Sequence, residues 1–226
     1  MGTTICIADD HPLFGQALST VISASDLDAE VMTVADVETV QKHLLSQKPV
    51  DLLMLDLHMP GAVGFSVLSW SLAQRQRLPI IIISANTHPE TVRRALDHGA
   101  AAFLSKSAEP EVIVSTIGRV IAGERGLHPG LETSSRGESL SGLDAAEAIA
   151  TMTAQQFRVV SMLVEGQLNK QIAYELGVKE ATVKAHMTEI FRKLGVHSRT
   201  QAALVLNRLM PETNQNYEAP PSSGAS

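Results

Sequence analysis

The stretch that most constrains the fold is a run of four apolar residues, Leu52 to Leu55, followed by a carboxylate at Asp56. An unbroken apolar run of this length is typical of a strand covered on both faces, as the central strands of parallel sheets are. Pro60 and Gly61 then turn the chain. Because ligands of open α/β sheets gather outside the carboxyl ends of the strands, this position favours a functional role for Asp56. The alternative is that the aspartate only begins a turn.

A second apolar run, Thr4 to Ala8, is also followed by acid, at Asp9 and Asp10. The carboxyl ends of parallel strands lie at one edge of a sheet, so these two carboxylates and Asp56 are expected to converge. Three uncompensated carboxylates repel one another, which raises their pKa values. A hard cation such as Mg²⁺ relieves that repulsion, and it prefers carboxylate, water and phosphate oxygens. The sequence therefore predicts a magnesium site at this edge.

Two further predicted strands place polar groups at the same edge. The strand at residues 78–83 ends at Ser84, and the short strand at residues 102–104 leads to Lys106. A hydroxyl and an ammonium group at those strand ends can bind the oxygens of a phosphoryl group carried by Asp56. Each residue alone is a weak indication, but the set and its spacing are specific.

Strand and helix patterns alternate five times over the first half of the chain, which predicts a doubly wound, five-stranded parallel sheet of flavodoxin-like order. Asp36 is expected to cap the helix after the second strand. Ser107 is expected to cap the last helix, with Glu109 and Glu111 in its first turn. Trp70, on the third helix, is interpreted as a packing residue.

Charge divides the chain unevenly. Residues 1–121 carry 8 basic and 13 acidic side chains, whereas residues 151–210 carry 8 basic and 4 acidic ones. An acidic N-terminal part and a basic C-terminal part indicate two functions, and the basic part is expected to bind a polyanion. The predicted organisation is a first domain over 1–122, a flexible linker rich in Gly, Pro and Ser over 123–150, an all-α domain over 151–210 and a disordered tail over 211–226.

The chain is expected to be cytoplasmic, with no membrane partner. No basic and then apolar segment opens the sequence, and no apolar run approaches the roughly 18 residues of a membrane span. The single cysteine, Cys6, cannot form an internal disulfide and is expected to be a buried thiol.

From Thr151 onward the periodicity is helical and predicts four helices. The second helix, the tight turn at Gly177 and the third helix have the dimensions of a helix-turn-helix. The third helix presents Lys184, Thr188 and Arg192 at spacing i, i+4, i+8, opposite its apolar stripe. Taken alone, this face is most simply a solvated surface. Within a basic helix-turn-helix unit it favours a helix that enters the major groove of DNA.

Residues 3 to about 122 resemble the receiver domain of bacterial two-component response regulators. The resemblance is carried by Asp9, Asp10, Asp56, Ser84, Ala85 and the stretch Gly99 to Lys106. It implies that Asp56 accepts a phosphoryl group from a sensor histidine kinase. It also implies that the chain is no enzyme beyond phosphorylating and dephosphorylating itself at Asp56.

The same resemblance assigns a role to each residue around Asp56. Mg²⁺ would be held by Asp9, Asp10, Asp56 and the backbone carbonyl of His58. Ser84 would follow the phosphoryl group, Lys106 would pair with its oxygens, and Phe103 would be the aromatic switch that turns inward.

Residues 151 to about 209 resemble the LuxR-type helix-turn-helix of NarL/FixJ regulators, through Gly166, Lys170, Ile172, Gly177, Thr182, Val183, Lys184, Lys193, Leu194 and the triplet Ser198 to Thr200. The resemblance implies that Lys184, Ala185 and Thr188 face base edges of promoter DNA. Phosphates would be held by Lys170, Thr182 and Arg192. The helix Ser198 to Leu209 would form a homodimer, and RNA polymerase is an implied partner.

The sequence departs from this pattern at two positions. Gln156 replaces the usual Glu, so a contact with Arg199 is expected to be neutral at best. Lys179 replaces the usual Ser at the start of the third helix, and the loss of such a cap costs about 1 kcal/mol. Both indicate a less rigid DNA-binding unit.

Three hypotheses follow. In the first, phosphorylation of Asp56 changes domain packing, the third C-terminal helix becomes available, and a dimer binds paired half-sites. In the second, the front domain is a phosphorylation-independent interaction module and DNA binding is constitutive; the complete acidic set argues against it. The third, an independent enzyme, has no second acid or base motif to support it.

Overall fold

The computed structural model describes residues 2–46, 48–133 and 147–207 of the 226-residue chain. The N-terminal part is a five-stranded sheet in the order β2-β1-β3-β4-β5, with every neighbouring pair parallel. This confirms the predicted doubly wound sheet. The strands are β1 (Thr3–Ala8), β2 (Ala29–Val34), β3 (Leu52–Leu55), β4 (Ile80–Ser84) and β5 (Ala102–Ser105).

Five helices connect and follow the strands, and four more form the C-terminal part. The N-terminal helices are α1 (Pro12–Ser23), α2 (Val37–Leu45), α3 (Ser66–Gln74), α4 (Pro89–Asp97) and α5 (Pro110–Ile121). The C-terminal helices are α6 (Ala154–Val164), α7 (Asn169–Leu176), α8 (Glu180–Leu194) and α9 (Arg199–Asn207). The predicted all-α unit is therefore confirmed over its described residues. Among the described helices, none is long and apolar enough to cross a membrane.

The two faces of the sheet bury separate cores because successive side chains of a strand point to opposite sides. Leu52 and Met54 of β3 pack with apolar residues of α1 and α5, whereas Leu53 and Leu55 pack on the side of α2 and α3. All four β3 residues are at most 1 % exposed. Cys6 is buried in β1, and burial raises the pKa of its thiol to about 12, which keeps it protonated.

Local capping places the first residues of the helices. The Asp36 side chain accepts a hydrogen bond from the Thr39 amide at 2.7 Å, as predicted for the cap of α2. The expected Ser107 cap of α5 is wrong, because α5 begins at Pro110 with Glu109 in the capping position. Proline is pre-organised for the first helical residue and fixes the start there. The Ser107 hydroxyl instead lies 2.8 Å from that of Ser105.

The C-terminal helices bury Phe157, Val183 and Ile190 in a core that is continuous with the core on the α2 and α3 side of the sheet. The turn between α7 and α8 depends on Gly177, whose φ of +64° is a left-handed conformation that glycine adopts readily. Lys179 precedes α8 and offers no side-chain hydrogen bond to it, as its chemistry predicted.

The two parts touch through α3 and α6. The indole of Trp70 donates a hydrogen bond to the Met152 carbonyl at 3.0 Å, and its ring lies edge-on to Phe157 at 6.3 Å. The Ser161 hydroxyl donates to the Gly61 carbonyl at 2.6 Å. Trp70 is thus a packing residue, as predicted, and also the main link between the two parts.

The predicted linker is described only at its two ends. At the front, the Leu127 carbonyl accepts a hydrogen bond from the Phe103 amide at 2.8 Å, so the chain continues along the edge of β5. At the back, residues 147–150 are helical, and Ile149 is buried. The rest of the linker and the predicted tail lie outside the described residues.

Candidate functional site

An acidic pocket lies where β1 and β3 end, side by side in the sheet. Asp9 follows β1 and Asp56 follows β3, and the Asp56 amide donates to the Ala8 carbonyl at 2.9 Å. The side chains of Asp9 and Asp56 are 1 % and 2 % exposed. Lys106 bridges them: its ammonium nitrogen lies 2.7 Å from Asp9 Oδ2 and 2.8 Å from Asp56 Oδ2. The strand ends therefore converge as predicted, and they bring Asp9, Asp56 and Lys106 together in one pocket.

The charges in the pocket hold one another in place. Burial alone would lower the pKa of Lys106, but its hydrogen bond to Asp56 and its attraction to Asp9 outweigh that effect, so the pKa is raised. The contact with Asp56 Oδ2 is a directed hydrogen bond. Asp9 Oδ2 is in ion-pair contact with the ammonium but outside hydrogen-bonding geometry. Lys106 thus balances part of the buried negative charge.

The remaining predicted pocket residues take different positions. Ser84 is buried at the end of β4, and its carbonyl accepts a hydrogen bond from the Lys106 amide at 2.9 Å. Asp10 is next to Asp9 and is partly exposed. The His58 ring lies 3.9 Å from Asp56 Oδ1. Phe103, the predicted aromatic switch, is fully buried in β5. Its ring therefore already points inward in this conformation.

The donor atoms of the pocket fit a divalent cation. One ligand atom from each of Asp9, Asp10, His11 and Asp56 lies within 4.8 Å of all the others. Asp56 Oδ1 is buried and has no hydrogen-bond partner among the described residues. A buried, unpartnered carboxylate oxygen is costly, and a cation removes that cost. The acidic residues predicted to bind metal therefore form a group that a metal ion can occupy.

The second candidate site is the outer face of α8. All six residues predicted to contact DNA are exposed: Lys170, Thr182, Lys184, Ala185, Thr188 and Arg192. The opposite face of α8 buries Val183, Met187 and Ile190 in the domain core. An amphipathic helix of this kind leaves one polar face free to enter a groove. In the described conformation the first domain does not cover this face.

The cations of α8 are paired with acids on the same helix. Lys184 lies 3.0 Å from Glu180, and Arg192 lies 2.9 Å from Glu189. All four side chains are largely exposed, so these ion pairs contribute little to stability. They leave the face less basic than its lysine and arginine content indicates.

Sequence reasoning missed how the C-terminal helices are held together. Gln156 does not contact Arg199; its side-chain oxygen accepts from Lys193 at 2.8 Å and from the Thr153 amide at 3.2 Å. Arg199 instead donates to the carbonyls of Leu163 and Gln167 at the end of α6. A local residue pattern cannot show such a contact, because it joins residues more than 30 positions apart.

The fold and the two sites define a receiver-type domain followed by a helix-turn-helix domain. The family described as response regulator receiver domain matches residues 5–118. The family described as bacterial regulatory proteins, luxR family, matches residues 150–206.

Relatives match along the whole of this architecture. The glycerol metabolism activator of Pseudomonas putida is 36 % identical over 205 residues, which cover 88 % of this chain and 93 % of that protein. The nitrate/nitrite response regulator protein NarL of Escherichia coli is 30 % identical over 205 residues, with 89 % and 93 % covered. The chain therefore belongs to the two-component response regulators that join a receiver domain to a luxR-family DNA-binding domain.

The fold agrees with solved structures. RcsB from Salmonella enterica serovar Typhimurium, bound to the promoter rprA in the presence of the phosphomimetic BeF₃⁻, superposes with a TM-score of 0.53. The identity is 20 %, with 92 % of this chain and 100 % of that chain covered. At that identity the likeness concerns the fold alone.

Proposed function

We propose that this response regulator is phosphorylated on Asp56 by a sensor histidine kinase and then binds promoter DNA as a dimer through α8. The observation that carries the proposal is the ammonium group of Lys106, held between the buried carboxylates of Asp9 and Asp56 at 2.7 and 2.8 Å. A cation fixed beside the carboxylate that would accept the phosphoryl group can balance the charge of the phosphoryl oxygens.

The transfer step uses the residues at the end of β3. An oxygen of Asp56 attacks the phosphorus of a phosphohistidine, an acyl phosphate bond forms, and the N–P bond breaks. The electron pair stays on the imidazole nitrogen of the donor, which then takes up a proton. Lys106 would pair with the phosphoryl oxygens, and Ser84, beside it at the end of β4, would donate its hydroxyl hydrogen to one of them.

Asp9, Asp10, Asp56 and the His58 carbonyl would hold Mg²⁺, which when bound supplies positive charge to the transferred group. The same pocket would return Asp56 to its free form by hydrolysis, and the chain carries out no other reaction in this proposal. The fit of the acidic side chains to a divalent cation supports this assignment.

Promoter binding would use the exposed face of α8 and a second copy of the chain. Lys184, Ala185 and Thr188 would meet base edges, while Lys170, Thr182 and Arg192 would hold phosphates. The dimer would form through α9, where Leu204 is 60 % exposed, and would bring RNA polymerase to the promoter. An apolar side chain left in water on a terminal helix supports a contact between copies.

The test uses the full chain with acetyl phosphate and magnesium. We expect one phosphoryl group per chain by intact mass and none in the Asp56→Asn variant. Beryllofluoride with magnesium should raise both dimerisation and promoter affinity. Unchanged dimerisation and affinity with beryllofluoride would refute the phosphorylation switch.

A second candidate is constitutive DNA binding with a receiver that acts only as an interaction module. One observation favours it: the DNA-facing side of α8 is exposed and Phe103 is already buried in the described conformation. An Asp56→Asn protein that binds promoters and regulates as well as the parent would establish this alternative. Loss of regulation in that variant would exclude it.

A further inference from the structure

The acidic pocket contains a nitrogen donor that the proposed magnesium set does not use. His11 follows the acid pair, and its Nδ1 lies 2.8 Å from Asp10 Oδ1 and 3.1 Å from Asp9 Oδ1. Its backbone amide also donates to Asp9 Oδ1 at 2.8 Å, which fixes the residue against the pocket. The ring therefore contacts the pocket from its solvent side, with 64 % of the side chain exposed.

The geometry around His11 combines hydrogen bonds to Asp9 with distances that also fit a coordination shell. Although 2.8 Å separates His11 Nδ1 from Asp10 Oδ1, that oxygen has no hydrogen-bond partner among the described residues. Neighbouring ligands of an octahedral cation with bonds of about 2.1 Å lie about 3 Å apart. The distances from Nδ1 to the two carboxylate oxygens, 2.8 and 3.1 Å, match that spacing.

The two sides of the pocket are used differently. Lys106 contacts the Oδ2 atoms of Asp9 and Asp56. The Oδ1 atoms of Asp9 and Asp10 lie beside His11, and Asp56, whose Oδ1 is unpartnered on a side chain only 2 % exposed, belongs to the same group of possible metal ligands. A cation on the Oδ1 side would therefore meet carboxylate oxygens and an imidazole nitrogen without displacing the lysine.

We propose that His11 Nδ1 is a ligand of this cation. The nitrogen then raises the affinity of the pocket for first-row transition ions such as Mn²⁺, Co²⁺ and Ni²⁺, but not its affinity for Mg²⁺. Imidazole suits Ni²⁺ and its neighbours in the first transition row, whereas Mg²⁺ selects oxygen ligands. The inference rests on the proposed function, because it places this cation at the site assigned to Mg²⁺. It makes His11 a determinant of which metal the receiver takes.

The simpler interpretation is that His11 only hydrogen-bonds Asp9 and holds the loop, since Nδ1 and Asp9 Oδ1 are also within hydrogen-bonding geometry at 3.1 Å. The two interpretations differ in their consequence. A ligand contributes selectively to ions that prefer nitrogen, whereas a positioning residue affects every cation in the pocket alike.

The experiment measures binding of Ni²⁺ and Mg²⁺ separately to the full chain by calorimetry, with all variants compared at one fixed pH because metal affinity depends on pH. Only Ni²⁺ that excess Mg²⁺ displaces is counted, because exposed histidines elsewhere bind nickel too. For His11→Ala we expect the nickel dissociation constant to rise at least about tenfold, since even residues behind a ligand contribute that much. The magnesium constant should change little.

The matched control is His197→Ala, which removes an exposed imidazole from the C-terminal part of the chain. It should leave both constants unchanged. Nickel binding by His11→Ala that equals the parent's, an equal loss of both ions, or an equal nickel loss in His197→Ala would each overturn the inference.

Asp10→Asn separates this inference from the proposed function. It should weaken both ions, because it removes a carboxylate charge from the site. If neither ion binds the parent, or Asp10→Asn has no effect, the cation site itself is absent and both proposals fail. If the parent binds both ions and His11→Ala binds nickel as tightly as the parent, the proposed function stands and His11 is not a ligand.

Discussion

At the scale of single residues, Lys106 is the side chain on which the pocket most depends. Its ammonium group is the one described cation in contact with both buried carboxylates, Asp9 and Asp56. Without it, two acids with side chains at most 2 % exposed would face each other across the hollow. Repulsion between the two carboxylates would destabilise the fold.

We therefore expect Lys106→Met to lower the free energy of unfolding by about 1–3 kcal/mol in buffer without divalent ions. Added Mg²⁺ should recover part of the loss. Urea unfolding followed by Trp70 fluorescence measures both values. Lys42→Met is the control, because Lys42 makes an exposed ion pair with Glu38 and should change stability little. An equal effect of the two substitutions would contradict this account.

His98 predicts a dependence of stability on pH. Burial lowers the pKa of its imidazole from 6.5 to about 4, and the nearby charge of Arg94 adds to the effect. The folded state thus keeps the ring neutral while the unfolded chain takes up a proton. The resulting stability is complete above pH 6.5 and is lost as the pH falls toward 4.

Because the ring is partly exposed, we expect a loss on the order of 1–2 kcal/mol. His98→Gln should abolish this part of the pH dependence, which urea unfolding at a series of pH values would measure. His98 also stacks on Phe65 at 5.1 Å, so the variant is expected to be less stable at every pH. Only the difference in slope between parent and variant tests the pKa; equal slopes would contradict it.

At the scale of elements, α8 carries the expected DNA contacts, and its charges can be tested one at a time. Arg192→Ala should weaken binding to all DNA sequences alike and reduce the slope of log affinity against log salt by about 0.9, as loss of one phosphate contact does. Glu189→Gln, which removes the partner of Arg192 at 2.9 Å, should strengthen binding. A change in sequence preference in Arg192→Ala would instead make Arg192 a base-reading residue.

The start of α8 offers a gain in stability. Lys179 provides no side-chain acceptor for the first turn of this helix. Lys179→Ser should stabilise the domain by about 1 kcal/mol, because a serine oxygen can accept a hydrogen bond from an amide of the first turn. Thermal unfolding of the full chain measures the gain. Lys179→Ala, which removes the lysine without adding a cap, should show none, and a gain in both variants would point to the lost charge.

Elements were predictable where their signals are local. The strands β1, β3 and β4 and the cap at Asp36 could be predicted from neighbouring residues alone. The same holds for the strand ends that carry the residues of the pocket. The start of α5 was not predicted, because Ser107 and Pro110 offer competing signals and the fixed φ of proline decides. The position of the Phe103 ring depends on packing in the core that it shares with Leu53 and Leu55, which no local pattern shows.

At the scale of the whole molecule, the contacts between the two parts were beyond sequence reasoning. Trp70 and Met152 are 82 residues apart, and Gly61 and Ser161 are 100 apart. Their pairing requires two separately folded surfaces to meet. A cleft of about 250 Å³ remains between α2 and α6. The joint combines a shared apolar core with a few polar contacts, one of which is made by Gly61 in the loop that follows Asp56.

This arrangement decides between two forms of the phosphorylation switch. If the receiver held α8 out of reach, opening the joint would expose it; but the DNA-facing side of α8 is exposed while the joint is closed. We therefore expect phosphorylation to act on dimerisation and domain orientation. Trp70→Phe keeps an aromatic ring against Phe157 but removes the hydrogen bond to Met152.

That variant should have a larger radius of gyration by X-ray scattering, while the affinity of the unphosphorylated monomer for a single half-site stays unchanged. Ser161→Ala, which removes the bond to Gly61, should expand the molecule in the same way. Ser115→Ala, at an exposed position on α5, is the control. A marked rise in half-site affinity on opening the joint would mean that the closed form does obstruct DNA. The switch would then work by release, because only an obstructed helix gains affinity when the two parts separate.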